Sequence, residues 1–334
     1  MINNDSLKGA FPKLFSTYNF IRSVESLRNI SYLGSADKLC KKYLDIFDQD
    51  VVYFTFTQQC EYKTVMKKHN NLFYKLKEFE DILSRKNNFV YRGVDPLFGG
   101  TSFFGSISKN KSFINFREEL VSLKYFSNSR INGCFYYLNT YFKDLSPGTI
   151  YITERITSTY DALKKKYNNI IGSEYISNKA KSGDIYNNIK LNNRIIRSIH
   201  HEDITKLSFR DMSFDLIISM EVLEHVPHYK DGLKELHRCL SKDGVLLLTV
   251  PFDTKLDQTQ IRAQIRNNYI IHLLQPEYHG NPVNGKGGSL CFQSFGWSFF
   301  DDLENAGFVN IQGVLLWSLK YGILGDVLLI IANK

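Results

Sequence analysis

Residues 214–252, FDLIISMEVLEHVPHYKDGLKELHRCLSKDGVLLLTVPF, constrain the fold of this chain more than any other stretch. Phe214 to Met220 is a short apolar run with β-branched residues, the pattern of a strand buried on both faces of a parallel sheet. Glu221 and Glu224 follow at once, with His225 beside them, so polar groups stand where ligands gather in open α/β sheets, outside the carboxyl ends of the strands. Leu233, Leu236 and Leu240 then fall at i, i+3 and i+7, a one-faced helical stripe, and Lys242, Asp243 and Gly244 read as its stop. A second strand, Val245 to Val250, ends at Pro251, which cannot donate to a further ladder bond. Strand, helix and strand make one βαβ unit.

The run Glu-Val-Leu-Glu-His-Val, the helix end LKELHRCLSKDG and the strand GVLLLTVPF occur together at a spacing that resembles the middle of class I S-adenosylmethionine-dependent methyltransferases of the type 11 kind. FDLIISMEVLEHV is similar to their fourth strand and its loop, and GVLLLTVPF to the fifth. The resemblance implies a Rossmann-like α/β fold with a seven-stranded sheet, S-adenosylmethionine as cofactor, and methyl transfer to an acceptor.

The rest of the carboxy-terminal half fits that frame. Thr149 to Glu154 reads as the first strand and Ser158 to Asp161 as a capping box opening a helix. Ile170 to Glu174 reads as the second strand. Glu154 and Glu174 end these two strands 20 residues apart, the distance at which nucleotide-binding βαβ units place an acid on ribose hydroxyls. Glu174 is the ribose candidate, since a carboxylate can accept from two vicinal hydroxyls. The intervening turn, ERITSTY, contains no glycine, unlike the general pattern; the related branch has a similar TE.vT.ly start followed by GSEY. Arg194 to His200 reads as the third strand. By resemblance Asp203 then caps the adenine amino group and Ile204 packs on the ring, with a turn role for Asp203 as the alternative. Glu221 completes the cofactor set. Ser298 reads as the cap of a further helix, and strands over Val309–Trp317 and Gly325–Ala332 close the sheet.

An insertion at about 253–296 follows the fifth strand and resembles the hll.PEYHGdP and fGW segments of the same branch. His225, His279 and Tyr278 are the candidate catalytic residues: an imidazole titrates near neutral pH and can take an acceptor proton, and a phenol can orient a hydroxyl. A structural role is the alternative for both histidines. Phe295 and Trp297 offer apolar area for an acceptor, and glycines between Gly280 and Gly288 let the segment bend. The helical HExxH spacing is missing, and the five cysteines form no CxxC pair, so no metal is expected.

Residues 1–147 form the expected amino-terminal region and 148–334 the methyltransferase domain. The former carries 21 Lys and Arg against 14 Asp and Glu, and so most of the net charge of +8. Without a run of five like charges, the excess reads as a solvated surface rather than a nucleic-acid site. Its apolar spacing predicts paired helices over 37–47 and 63–85, and the Gly, Ser and Phe composition of 88–115 predicts loops. Residues 115–130, NFREELVSLKYFSNSR, resemble a segment of zinc-ribbon type in which Ser122 and Tyr125 stand where that branch has cysteines, implying a relic knuckle held by aromatic packing. The tract CFYYLNTYF, 134–142, reads as an aromatic face buried against the next domain. The opening residues lack a signal-peptide layout and no apolar run reaches the ~20 residues of a span, so a cytoplasmic protein is expected. The expected acceptor is a small molecule or glycan-type hydroxyl or amine. The rival reading is a non-catalytic scaffold that keeps the fold. Oligomeric state is not legible.

Overall fold

The computed structural model describes residues 31–43, 50–86, 88–107, 113–142, 148–187, 189–191, 194–196, 198–280 and 288–334. They divide into two compact units, one of residues up to Phe54 with Thr64–Asp144 and Leu315–Val327, the other of Thr55–Lys63, Leu145–Val314 and Leu328–Lys334.

The main sheet has nine strands: β1 (Val52–Phe56), β2 (Ile150–Ile152), β3 (Ile170–Glu174), β4 (Ile185–Tyr186), β5 (Ile199–His201), β6 (Phe214–Met220), β7 (Leu240–Thr249), β8 (Val309–Ser318) and β9 (Ile323–Asn333). Their spatial order is β1-β8-β9-β7-β6-β2-β3-β5-β4. Without the edge strands β1 and β4, seven strands remain. Five of these, β5-β3-β2-β6-β7, run in the doubly wound order with the topological switch between β2 and β6. Pairing is parallel across β5–β3, β3–β2, β2–β6 and β6–β7, and β9 lies antiparallel to β7. Tyr151 pairs with both Ile171 and Ile217, which places these side chains on adjacent central strands. Ile150, Ile152, Leu216, Ile217, Ile218, Leu246 and Leu247 are fully buried, as expected of strands covered on both faces. The covering helices include α1 (Ser158–Lys166), α2 (Tyr229–Cys239) and α3 (Ser298–Asn305).

Several sequence expectations shift locally. Helix α2 ends at Cys239, not at Gly244; Leu240 already pairs with Phe214, and residues 241–244 bulge out of the ladder with Asp243 at φ 63° before Val245 rejoins opposite Leu216. The cap of α1 is Thr157, whose hydroxyl accepts from Tyr160 N at 3.2 Å, one residue before the expected box. Ser298 does not cap α3; its hydroxyl accepts from Thr259 N at 2.8 Å. Of the expected third strand only Ile199–His201 joins the main sheet, because residues 194–196 pair instead with 189–191 in a separate hairpin.

Among the described residues of the amino-terminal region, helices share the chain with a four-stranded sheet, so the expected mostly helical character is not what these residues show. Helices do occupy Ala36–Tyr43, Gln59–Lys68 and Asn70–Ser84, while the continuation of the first to residue 47 lies outside the described residues. Residues 88–115, expected as loop, contain the antiparallel strands Asn88–Val94 and Thr101–Ile107 of a four-stranded sheet. Phe89, Tyr91 and Phe104 are completely buried there, so aromatic burial outweighs the turn-rich composition. The helix Ser129–Tyr141 carries the aromatic tract, and its Tyr137, Tyr141 and Tyr136 stack within their own unit, the last on Tyr321. In the same unit, buried Glu80 accepts from Trp317 Nε1 at 2.9 Å and Gly325 N at 2.8 Å.

Two turns in this unit face one another. Asp95, 1% exposed, accepts from Leu97 N and Phe98 N through Oδ1, and its Oδ2 meets Lys124 Nζ at 2.7 Å. Phe98 packs on Tyr125 with ring centroids 5.8 Å apart, and Lys124 lies over both rings. Ser122 N donates to Ser127 O at 2.8 Å, closing the second turn. Glu118 meanwhile binds Arg130 and Arg117.

Candidate active site

Two groups of side chains gather at the carboxyl ends of the central strands. The first surrounds the turn after β2. Glu174, at the end of β3 and only 7% exposed, accepts from Arg155 N at 2.8 Å and Ile156 N at 2.9 Å, both through Oε1. Burial raises its pKa, and the two amides pull the other way. The carboxylate therefore braces the glycine-free turn with one oxygen. The close approach that a glycine in the turn normally allows is supplied from the next strand. A Cβ on Gly172 would stand 2.5 Å from Glu154 O and 2.6 Å from the Tyr160 ring. The Arg155 guanidinium lies over that ring, 4.3 Å from its centroid.

The remaining cofactor candidates fall nearby in the topology. Thr153 at the end of β2 bonds Ser219 of β6 across the switch point, Oγ1 to Oγ at 3.3 Å. Glu221, immediately after β6, holds φ at 51°, a left-handed conformation uncommon for a residue with a side chain, and its N donates to Thr249 O. Asp203 uses Oδ1 to accept from Thr205 N at 2.9 Å and Thr205 Oγ1 at 2.7 Å, so the turn role is realised with one oxygen. Ile204 is 8% exposed and lies against Gly232 of α2.

The second group joins the loop after β6 to the insertion. Residues 223–225 form one 3-10 turn, held by the buried Gln293 amide, which donates to Leu223 O and Val226 O. In the insertion Tyr278 pairs with Leu290 and His279 with Ser289. Gly288, at φ 69°, lets the chain return, since a Cβ there would meet His279 O at 2.4 Å. The two histidine rings lie edge to face, centroids 5.4 Å apart. His225 Nδ1 lies 2.9 Å from Leu290 O, and its Nε2 lies 3.6 Å from Glu224 Oε1. His279 Nδ1 is 3.5 Å from the same Oε1, and its Nε2 is 3.1 Å from Glu277 Oε1; Arg262 NH2 holds the other Glu277 oxygen at 3.0 Å. Buried Cys291 contacts both imidazoles.

The charges in this group are coupled. Burial alone would push the Cys291 thiol up, but its bonds to His225 and His279 hold it below the ordinary cysteine value. His279 is pushed up to about 11 by contacts with Cys291 and Glu224, which outweigh burial. Burial also works against protonation of His225, yet Cys291, Glu224 and the Leu290 carbonyl leave it raised.

Of the three catalytic candidates, the structure brings His225 and His279 together and leaves Tyr278 54% exposed on the same short strand. Phe295 and Trp297, expected to offer apolar area to an acceptor, are core residues instead. Phe295 packs on Tyr229 and Phe299, and Trp297 Nε1 donates to Thr254 O at 3.0 Å. Residues 281–287, which hold the two middle glycines of the insertion, lie outside the described residues. Sequence reasoning did not assign roles to Glu224, Glu277, Cys291 or Gln293; the available signal was an acid adjacent to one histidine and an E-x-H at the other.

Comparison with known proteins follows the same lines. Residues 157–248 match the family described as a methyltransferase domain. No curated protein matches the chain. Many solved structures do, including an S-adenosylmethionine-dependent methyltransferase from Mesorhizobium loti, with 14% identity, TM-score 0.33, and coverage of 57% of this chain and 91% of the other. One from Methanosarcina mazei shows 17% identity, TM-score 0.32, and coverage of 55% and 92%. A third, the Burkholderia thailandensis 1,6-didemethyltoxoflavin-N1-methyltransferase with bound S-adenosylhomocysteine, shows 13% identity, TM-score 0.31, and coverage of 58% and 74%. At such scores the fold rests on the chain's own sheet order and on the domain match. Together these give a Rossmann-like class I methyltransferase fold, an enzyme of methyltransferase type, and S-adenosylmethionine as its cofactor. Among the described residues no helix is long and apolar enough to cross a membrane.

Proposed function

We propose that the chain transfers a methyl group from S-adenosylmethionine to a hydroxyl or amine of a small molecule or glycan-type acceptor. The observation that carries this reading is the arrangement at the switch point: a braced turn after β2, a buried acid ending β3, and Glu221 in a left-handed conformation after β6. The residues present fit the cofactor. Glu174 would hold the ribose hydroxyls through Oε2, the oxygen that takes neither turn amide, while Asp203, Ile204 and Glu154 complete the pocket with Glu221. When bound, the cofactor supplies an electrophilic methyl. The protein's part is to orient that group and the acceptor in line and to exclude water.

His225 and His279 engage Cys291 and Glu224, so they support the loop after β6 rather than serve as free bases. Tyr278 is the candidate that remains exposed for contact with an acceptor. Calorimetry with S-adenosylhomocysteine tests the cofactor half of the proposal: saturable binding is expected. The acceptor half is tested by methyl-donor consumption on a panel of hydroxyl and amine acceptors, where Tyr278→Phe is expected to reduce turnover without loss of cofactor binding.

One observation favours the scaffold reading. The first two amides of the turn are committed to Glu174 and do not face a cofactor carboxylate. Absence of S-adenosylhomocysteine binding by the unmutated protein would select that reading.

The facing turns at Asp95–Phe98 and Ser122–Tyr125 support descent from a zinc-ribbon knuckle whose ligands have been replaced, with one ion pair and one aromatic pair in place of a metal. Metal content that disappears on chelation without change to this unit is the expected behaviour.

A further inference from the structure

Glu224 is 0% exposed, and beyond the long approaches of His225 and His279 to Oε1 neither of its carboxylate oxygens accepts a hydrogen bond. A buried carboxylate left in that state is costly, and structures that keep one generally supply a cation. His225 Nε2 and His279 Nδ1 lie 3.6 and 3.5 Å from its Oε1, with Cys291 against both rings. The ligand atoms of His225, His279 and Cys291 all lie within 4.8 Å of one another.

We propose that Cys291 Sγ, His225 Nε2, His279 Nδ1 and Glu224 Oε1 form a closed four-ligand zinc site that fastens the insertion to the loop after β6. Thiolate and imidazole donors suit Zn²⁺ rather than the oxygen-seeking Mg²⁺ or Ca²⁺. Zinc–nitrogen and zinc–oxygen bonds of about 2.0 to 2.1 Å imply tetrahedral edges of roughly 3.4 Å. The two Glu224 separations are already near that value, and the ligand atoms of His225, His279 and Cys291, within 4.8 Å of one another, draw together on binding. One thiolate and one carboxylate neutralise the dication, so the buried site carries no net charge with both imidazoles neutral.

The surroundings of each histidine select the nitrogen that binds. His225 Nδ1 faces the Leu290 carbonyl, which takes its N–H and leaves the Nε2 lone pair for metal. His279 shows the reverse: Nε2 faces the Glu277 carboxylate, itself held by Arg262, and leaves Nδ1. Carbonyl and carboxylate partners of this kind are the usual orienting groups behind zinc-bound histidines. Pairing of Tyr278 with Leu290 brings His279 and Cys291 into range although 12 residues separate them. The site does not depend on methyl transfer and stands if the cofactor proposal fails.

The full chain is expressed with zinc in the medium, purified without chelator, and its metal measured by mass spectrometry. About one zinc per chain is expected. Replacement by Co²⁺ is expected to give tetrahedral visible bands with a near-ultraviolet thiolate charge-transfer band, and Cys291→Ser to abolish the latter. Glu277→Gln, a positioning change outside the ligand set, is expected to weaken zinc affinity roughly tenfold to a hundredfold in competition with a chromophoric chelator. Should Cys291→Ser fail to fold, peptide mapping of thiol alkylation in the unaltered chain reads the same point: Cys291 reacts at least about tenfold faster after chelation. Folded protein with no zinc and no cobalt bands overturns the site, as does metal retained unchanged in Cys291→Ser or an alkylation rate indifferent to chelation.

Discussion

The turns at 95–98 and 122–125 and the cluster at 224, 225, 279 and 291 solve the same problem with opposite chemistry. Each joins segments distant in sequence through short irregular turns. In the first, where the sequence resembles a metal knuckle, the contacts are an aspartate on two backbone amides and a lysine, and one aromatic pair. In the second, where no metal spacing is legible, one thiol and two imidazoles gather beside a buried carboxylate that lacks hydrogen bonds of ordinary length. The difference teaches that ligand chemistry has to be read from which side chains the backbone pairing brings together. A motif spacing points to a place, and the residues occupying it decide what holds it.

The largest effect expected from this contrast comes from metal removal. If zinc stands at about 1,000 times its dissociation constant, chelation removes roughly 4 kcal/mol of stability. Calorimetric melting with and without a chelator checks this, and an unchanged melt would erase the distinction between the two regions. Next is Asp95→Ala, which strips two backbone amides and Lys124 of a buried partner and is expected to cost about 3 kcal/mol in urea unfolding. Zinc content should stay the same in that variant; loss of metal would show that the two regions are not chemically separate.

The parts of the molecule legible in sequence share a physical cause. Strands β2, β3, β6 and β7 are buried on both faces, so their apolar runs are nearly uninterrupted. Residues 88–107 were illegible because Gly93 and Gly105 stand within strands and break the expected alternation, although Phe89, Tyr91 and Phe104 carry the burial. The apolar pattern puts the third strand too early, because the polar His200 and His201 pair with β3 and the apolar Ile195 and Ile196 do not. At the site, Glu174 and Glu221 could be named from their places after apolar strands. Cys291 and Glu277 could not, since their contacts with His279 follow from the pairing of Tyr278 with Leu290 across residues outside any helical repeat.

A smaller effect separates the cofactor end from both regions. Glu174→Ala is expected to weaken S-adenosylhomocysteine binding by about 2 kcal/mol, the worth of hydrogen bonds to a charged group, measured by titration calorimetry. Glu174→Gln keeps an acceptor oxygen for the Arg155 and Ile156 amides and should retain the fold of the turn while losing part of that affinity. Zinc content unchanged in both variants would sharpen the assignment of separate roles. The smallest expected change is that of Phe98→Ala, about 1 kcal/mol in the same urea assay, because Phe98 is 42% exposed and gives up one aromatic pair.

The contact of Gly172 with Glu154 O and the Tyr160 ring bears on the thermodynamics of ligand capture. A flexible glycine turn must be ordered by its ligand, at about 1 to 2 kcal/mol of conformational entropy for each residue immobilised. Here that ordering is completed during folding, with residues 154–156 clamped between a glycine-bearing strand and a buried acid. A ligand taken at this turn would meet a preformed rim and would bind without a loop-ordering penalty.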